Sequence, residues 1–199
     1  PGWIAFGIID CSGGALKWFK DTLCREEIEL GLKSGRSPYA FIDEQAAAVE
    51  PGCEGLLYFP YMFGERTLGS PYARGVFFGL LPRHGKGAMA RSIMEGVTFE
   101  LKRTLENVEA CGTRVYEVRT TGGGAQSALW SQIKADIYGK PVVTFEQFEG
   151  SILGAAILAG VGAGVYADAS AAADRLVRLG SEYRPRSKNE TRYRYLYEM

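Results

Sequence analysis

Val115-Tyr116-Glu117-Val118-Arg119-Thr120-Thr121-Gly122-Gly123-Gly124-Ala125-Gln126-Ser127-Ala128-Leu129-Trp130 is the stretch on which the reading of this chain turns. Residues 115–119 alternate as a strand does, three glycines follow, and residues 125–138 carry a helical pattern that stops at Gly139. Residues 141–145 then read as a second short strand. A strand, a glycine turn and a helix in that order leave the backbone open to a ligand, because no Cβ stands in the way. The start of the helix presents free N–H groups and a partial positive charge, which suits phosphate. A tight strand-to-helix turn with no ligand accounts for the same glycines equally well.

Working outward, the longest helical pattern lies upstream, at 86–109. Ile93, Val97, Leu101, Leu105 and Val108 make one apolar stripe, and Cys111-Gly112 ends it. Before it come two apolar runs, 56–59 and 76–78, separated by an aromatic- and glycine-rich loop at 61–74. Further upstream, Leu16, Phe19 and Leu23 give a helical face over 15–25. Ser37 and Pro38 open a second helix over 38–49, as cap and first helical residue. The apolar opening, 3–9, reads as a strand that needs partners and implies a piece of a longer chain. Downstream, helices are expected at 151–161, 169–179 and 187–199. Small residues in the first of these (Gly154, Ala155, Ala156, Ala159, Gly160) suit close packing on a neighbour. Alternating strands and helices give an α/β fold, and no linker or repeat divides residues 1–199, so one domain is expected.

Composition narrows the function classes. Hydrophobic residues at 46% are enough for a core, and a formal net charge of zero removes the electrostatic case for nucleic acid or an anionic membrane. Cys11, Cys24, Cys53 and Cys111 form no C-x-x-C pair, and the lone His84 completes no common zinc site, so free thiols in a reducing cytoplasm are expected. No apolar run is long enough to span a bilayer, and no basic-then-apolar leader opens the sequence.

Three phosphate-binding patterns can be tested. A P-loop fails, because Gly79 to Gly85-Lys86-Gly87 has five intervening residues and Gly where the hydroxyl should be. A dinucleotide turn, Gly122-x-Gly124-x-x-Ser127 with Glu146 as ribose partner, has Ser in place of the third Gly and no further βαβ units. It stands as the oxidoreductase alternative. The third pattern is the adenosine-holding glycine turn of actin-like ATPases, and here the rest of the chain bears on the choice.

Gly64-Glu65-Arg66-Thr67 with Tyr72-Ala73-Arg74-Gly75-Val76-Phe77-Phe78-Gly79-Leu80 resembles the G-E-R-T…A-R-G-x-F-x-G-L stretch of FGGY carbohydrate kinases, xylulose kinases especially. Arg91 to Val97 resembles that family's R-A-x-x-E-G-V helix. Gly122 to Trp130 resembles its G-G-G-A-x-S-x-x-W turn, with Gln132 and Ala135-Asp136 also matching. Glu149 to Gly160 resembles its E-x-x-x-L-G-A-A-x-x-A-G helix. These motifs keep the family's order from about Gly13 to Gly164. Ala88, where a polar or acidic residue is usual, and His84, placed earlier than the usual histidine, depart from it.

The resemblance implies an actin-like ATPase (ribonuclease H-like) α/β domain, a mixed sheet flanked by helices, forming the C-terminal nucleotide-binding lobe of a two-lobed kinase. It implies ATP and Mg2+ as cofactors, a sugar substrate such as a ketopentose, the enzyme's own N-terminal lobe as partner, and room for a homodimer. Gly123, Gly124 and Ala125 are then expected to line the adenosine pocket, with Ser127 reaching the base. Gly13 is expected to face the phosphates with Lys17 one turn on, although a solvated helix face explains Lys17 equally well. Glu65 and Arg66 read as a loop facing the interlobe cleft or as an exposed pair. The catalytic base is expected in the N-terminal lobe: Asp10, Asp21, Asp43 and Asp136 have cap, surface or helix readings. A sugar sensor built on the same fold, with a DNA-binding segment elsewhere, is the non-enzymatic alternative.

Overall fold

The computed structural model describes residues 4–66 and 69–199. Helix α1 (Gly13–Leu23) leads through Cys24 into α2 (Arg25–Ser34) and, after a left-handed Gly35, into α3 (Pro38–Ala47). Ser37 caps α3 by accepting from the Tyr39 N–H, with Pro38 at the first helical position as expected. A two-stranded antiparallel ribbon follows, β1 (Leu57–Phe59) against β2 (Val76–Phe78), with Leu57 opposite Phe78. Then comes the long helix α4 (Lys86–Ala110).

A second sheet has the order β3 (Val118–Arg119), β4 (Val142–Phe145), β5 (Leu179–Tyr183). The β3–β4 pair is parallel and the β4–β5 pair antiparallel. Between β3 and β4 lies α5 (Ala128–Tyr138), and between β4 and β5 lie α6 (Gly150–Gly162) and α7 (Ala169–Leu176). Helix α8 (Ser187–Glu198) closes the chain.

The first half of α4 is the centre of the core. Ile93, Met94 and Val97 are fully buried among Phe19 of α1, Ile42 of α3, Tyr58 of β1, Trp130 and Ile133 of α5, and Tyr193 of α8. One apolar stripe does not describe this helix, because neighbours surround it. Its buried polar side chains are accordingly satisfied internally. Arg91 and Glu95 pair at 2.7 Å, Tyr193 donates to Glu95 at 2.6 Å and accepts from Arg91 at 3.0 Å, and the Gly52 N–H also donates to Glu95. Gly96 is what lets α4 lie on β1: a Cβ there would stand 1.9 Å from the Tyr58 carbonyl oxygen.

Several expectations change. Residues 4–9 form no strand, with Ile4 87% and Phe6 77% exposed; no described strand runs beside them to satisfy their backbone groups, and Trp3 lies outside the described residues. Helix α2 was not expected. The helix expected at 169–179 ends at Leu176, and β5 takes its place by pairing with β4. Of the small residues of α6, Gly160 meets a neighbour, the Tyr166 ring, whereas Gly154 has open space around it and Ala155, Ala156 and Ala159 are exposed.

Candidate functional site

The glycine turn is held from below. Gly122 has φ +81°, its N–H donates to the Phe148 carbonyl at 2.7 Å, and Thr121 Oγ1 donates to the same carbonyl at 2.6 Å. Gly123–Ala125 wind one short 3-10 turn, so the helix starts at Ala128, three residues later than the pattern suggested. Ser127 caps it, accepting from the Trp130 N–H at 3.0 Å. The Trp130 indole donates to Met94 O and Thr98 Oγ1, both at 3.0 Å, which fixes its ring against α4. A Cβ on Gly124 would stand 3.3 Å from that ring, while one on Gly123 would meet nothing within 4 Å.

Facing this turn is the start of α1. Ser12 gives the first helical turn no side-chain cap, and the space where a Gly13 side chain would stand is also open. Between the two lies a cleft of about 640 Å³. Gly13 and Lys17 line it from α1, Tyr39 and Asp43 from α3, and Gly123, Gly124 and Ser127 from the turn, with Trp130 in its wall. Five of the six binding residues expected from the sequence therefore border one cavity. Ala125 does not, being 3% exposed beneath the turn. Lys17 pairs with Asp21.

Asp43 is the residue that sequence reasoning missed. From the sequence it has a cap, surface or helix reading, yet it borders the cleft half-buried, and its Oδ1 is buried without a hydrogen-bond partner. Burial raises its pKa above the usual carboxylate value, and the nearby Ser127 hydroxyl opposes that rise. The available signal was spacing: Tyr39, Ala40 and Asp43 share one helical face.

The other acids are engaged elsewhere. Asp10 pairs with Arg66 at 2.7 Å. Asp136 accepts from the Arg186 N–H and Asn189 Nδ2, each at 2.8 Å, and so holds the start of α8. Glu65 is buried and pairs with Arg103 of α4 at 3.1 Å, so Glu65 and Arg66 each have an ion-pair partner within the chain; Thr67 lies outside the described residues. The cysteines are free thiols, and burial pushes Cys24 up to about 11 and Cys53 higher still. Among the described residues no three His, Cys, Asp or Glu side chains gather as a metal site, and no helix is long and apolar enough to cross a membrane.

An α/β lobe with a glycine-walled cleft between helices is the class of protein this geometry defines. Residues 1–163 match the model of the FGGY family of carbohydrate kinases, C-terminal domain, and the chain belongs to that family. It is 38% identical over 184 residues to a gluconokinase of Bacillus subtilis (strain 168), covering 92% of this chain and 35% of that protein. A xylulose kinase of the same strain is 33% identical over 197 residues, with 97% and 37% covered. Among solved structures, xylulose kinase from Rhodospirillum rubrum matches with a TM-score of 0.75 at 30% identity, covering 94% of this chain and 36% of that one. The chain thus spans little more than a third of the length of these relatives. Its fold is the actin-like ATPase α/β fold of the family. The mixed sheet, with β5 antiparallel to β4, does not continue the parallel winding that a dinucleotide fold requires.

Proposed function

We propose that residues 1–199 form the nucleotide-binding lobe of an ATP-dependent kinase that phosphorylates a hydroxyl of a sugar or polyol. The observation that carries this reading is the cleft itself, where the open helix start of α1 and the glycine turn face each other beside Trp130. Backbone N–H groups and Lys17 at the α1 end suit phosphates, and the glycines leave room for adenosine. The motifs favour a ketopentose such as xylulose, while the gluconokinase relative makes gluconate the second acceptor to try.

Phosphoryl transfer rests on positioning and charge stabilisation, with a carboxylate to take the hydroxyl proton. No acid in the described residues stands free at the phosphate end of this cleft, so the base is assigned to a separate N-terminal sugar-binding lobe. The cleft's donors fit a nucleotide and do not form a cage for Mg2+, which supplies charge neutralisation when bound to phosphates. The chain's own part is to hold and orient the nucleotide.

Ligand-observed NMR with MgATP, MgADP and NAD, repeated on Gly124→Val, tests the reading. Valine at that position meets the Trp130 ring and fills the turn. ATP or ADP binding that is lost in the variant supports it. Preference for NAD overturns it in favour of an oxidoreductase, and sugar phosphorylation by residues 1–199 alone refutes the assignment of the base to another lobe.

A further inference from the structure

Asp43 is hard to explain as part of the scaffold. It sits in the second turn of α3, past the cap that Ser37 already provides, and among the described residues no cation pairs with it. One of its carboxylate oxygens is buried without a donor, an arrangement that folded proteins rarely leave unanswered. The same side chain borders the cleft, next to Ser127. Among the described residues Ser127 is the one neighbour placed to steady this carboxylate, and the side chain stands at the wall of a ligand-sized cavity, where a ligand's own donor can meet it.

The rest of the wall narrows which donor. Among the described residues Asp43 is the only acid that borders the cleft and Lys17 the only cation. A triphosphate is repelled by the first and attracted to the second and to the open start of α1. The nucleoside end therefore lies at Asp43, where Tyr39 supplies flat apolar surface for a ring and Trp130 backs the turn from behind Gly124. On the adenine ring the only strong hydrogen-bond donor is the exocyclic amine at position 6, and an ionised carboxylate can only accept.

We infer that Asp43 reads the nucleobase, its carboxylate accepting a hydrogen bond from the 6-amino group, and so selects 6-aminopurine over 6-oxopurine nucleotides; this rests on the reading of the cleft as a nucleotide site. A 6-oxo group would set an acceptor against an acceptor. Ser127, whose oxygen already receives the Trp130 N–H, keeps its own hydrogen available to steady the carboxylate. Asp43 is thus a specificity residue, and it takes no part in the phosphoryl transfer step.

Calorimetric titration of the intact protein carrying residues 1–199 with MgATP, MgITP and Mg-2′-deoxy-ATP, in the wild type and in Asp43→Asn, tests this. The wild type should favour ATP over ITP by roughly tenfold or more, the scale of one hydrogen bond to a charged group. Asp43→Asn, which can offer its amide hydrogens to a 6-oxo group, should bind ATP roughly tenfold more weakly and bring the ATP to ITP ratio close to one. It should also melt no lower than wild type, since a neutral amide replaces a partly buried carboxylate. An unchanged ratio overturns the inference. So does a loss of discrimination between ATP and 2′-deoxy-ATP in the variant, which would place Asp43 on the ribose, or an equal weakening for all ligands with a lower melting temperature, which would make it structural. A wild type that binds none of the three removes the nucleotide reading as well, and ATP binding with an unchanged ratio removes only this inference.

Discussion

Replacing Lys134 with Met should stabilise the protein at neutral pH, and the gain should shrink as the solution is made alkaline. Lys134 is 7% exposed on α5, behind the glycine turn. Its Nζ donates to Thr120 Oγ1 at 2.9 Å and lies 5.3 Å from the Trp130 ring centre. Among the described residues no carboxylate forms an ion pair with it, and burial brings its pKa down from 10.5 to about 8. In the unfolded chain the ammonium keeps its ordinary pKa, so the unfolded state binds more protons between about pH 8 and 10.5. Stability from this group therefore rises with pH through that window and is lowest below it. A shift of this size, at 1.36 kcal/mol per unit, corresponds to about 3 kcal/mol at pH 7 and under about 1 kcal/mol at pH 10. Methionine keeps the length and apolar stem but gives up the Thr120 hydrogen bond, which offsets about 1 kcal/mol. The expected net gain is about 2 kcal/mol at pH 7, or roughly 4–8 °C in melting temperature for a domain of this size. Urea unfolding of both proteins from pH 6.5 to 10 checks it, because buried tyrosines and cysteines titrate in both and cancel in the difference. Parallel curves, or a destabilised variant at pH 7, would refute the reasoning.

Gly96→Ala should destabilise by about 3 kcal/mol or prevent folding, since its methyl would overlap the Tyr58 carbonyl, and a lowered urea midpoint would show it. Tyr193→Phe should cost about 1–3 kcal/mol by removing the hydroxyl between Arg91 and Glu95, with faster hydrogen exchange in α8 as the local readout. Ser127→Ala should lower stability by about 1 kcal/mol through loss of the α5 cap, measured by thermal unfolding.

What was legible in the sequence followed from local rules. The caps at Ser37 and Gly139 and the stripe of α4 place those helices within a few residues. The glycine turn is also found where strand meets helix. Features set by distant partners were not legible. Residues 179–183 give no strand signal until β4 is present to pair with them, because their side chains are mostly exposed and carry no apolar alternation, and the helix expected at 169–179 runs into them. Residues 4–9 fail in the opposite sense: the apolar pattern is there, but no described strand lies beside it. Buried Arg91 and Glu95 are satisfied by Tyr193, about a hundred positions away, so their chemistry cannot be read from α4 alone. Asp43 belongs with these, since its place beside Ser127 depends on how α3 and α5 both pack on α4.

The glycines do not make the cleft by themselves, and α4 explains why this turn is more than a connection. Met94 and Thr98 hold the Trp130 indole, so the wall below Gly124 is anchored to the same helix on which α1 and α3 pack. Distances across the cleft are therefore set by core packing, which is close to rigid, and not by loop conformation. Gly96 fixes the other side of that helix against β1 by backbone contact. The turn fastened in this way has open space at Gly123, which a simple reversal of chain direction does not require. Space, open helix start, lone cation and lone acid converge on one cavity from three elements far apart in sequence. On the proposed reading that convergence is what distinguishes a nucleotide site from a tight turn, and the reading fails if Trp130 can be replaced by Leu with the turn and its binding unchanged.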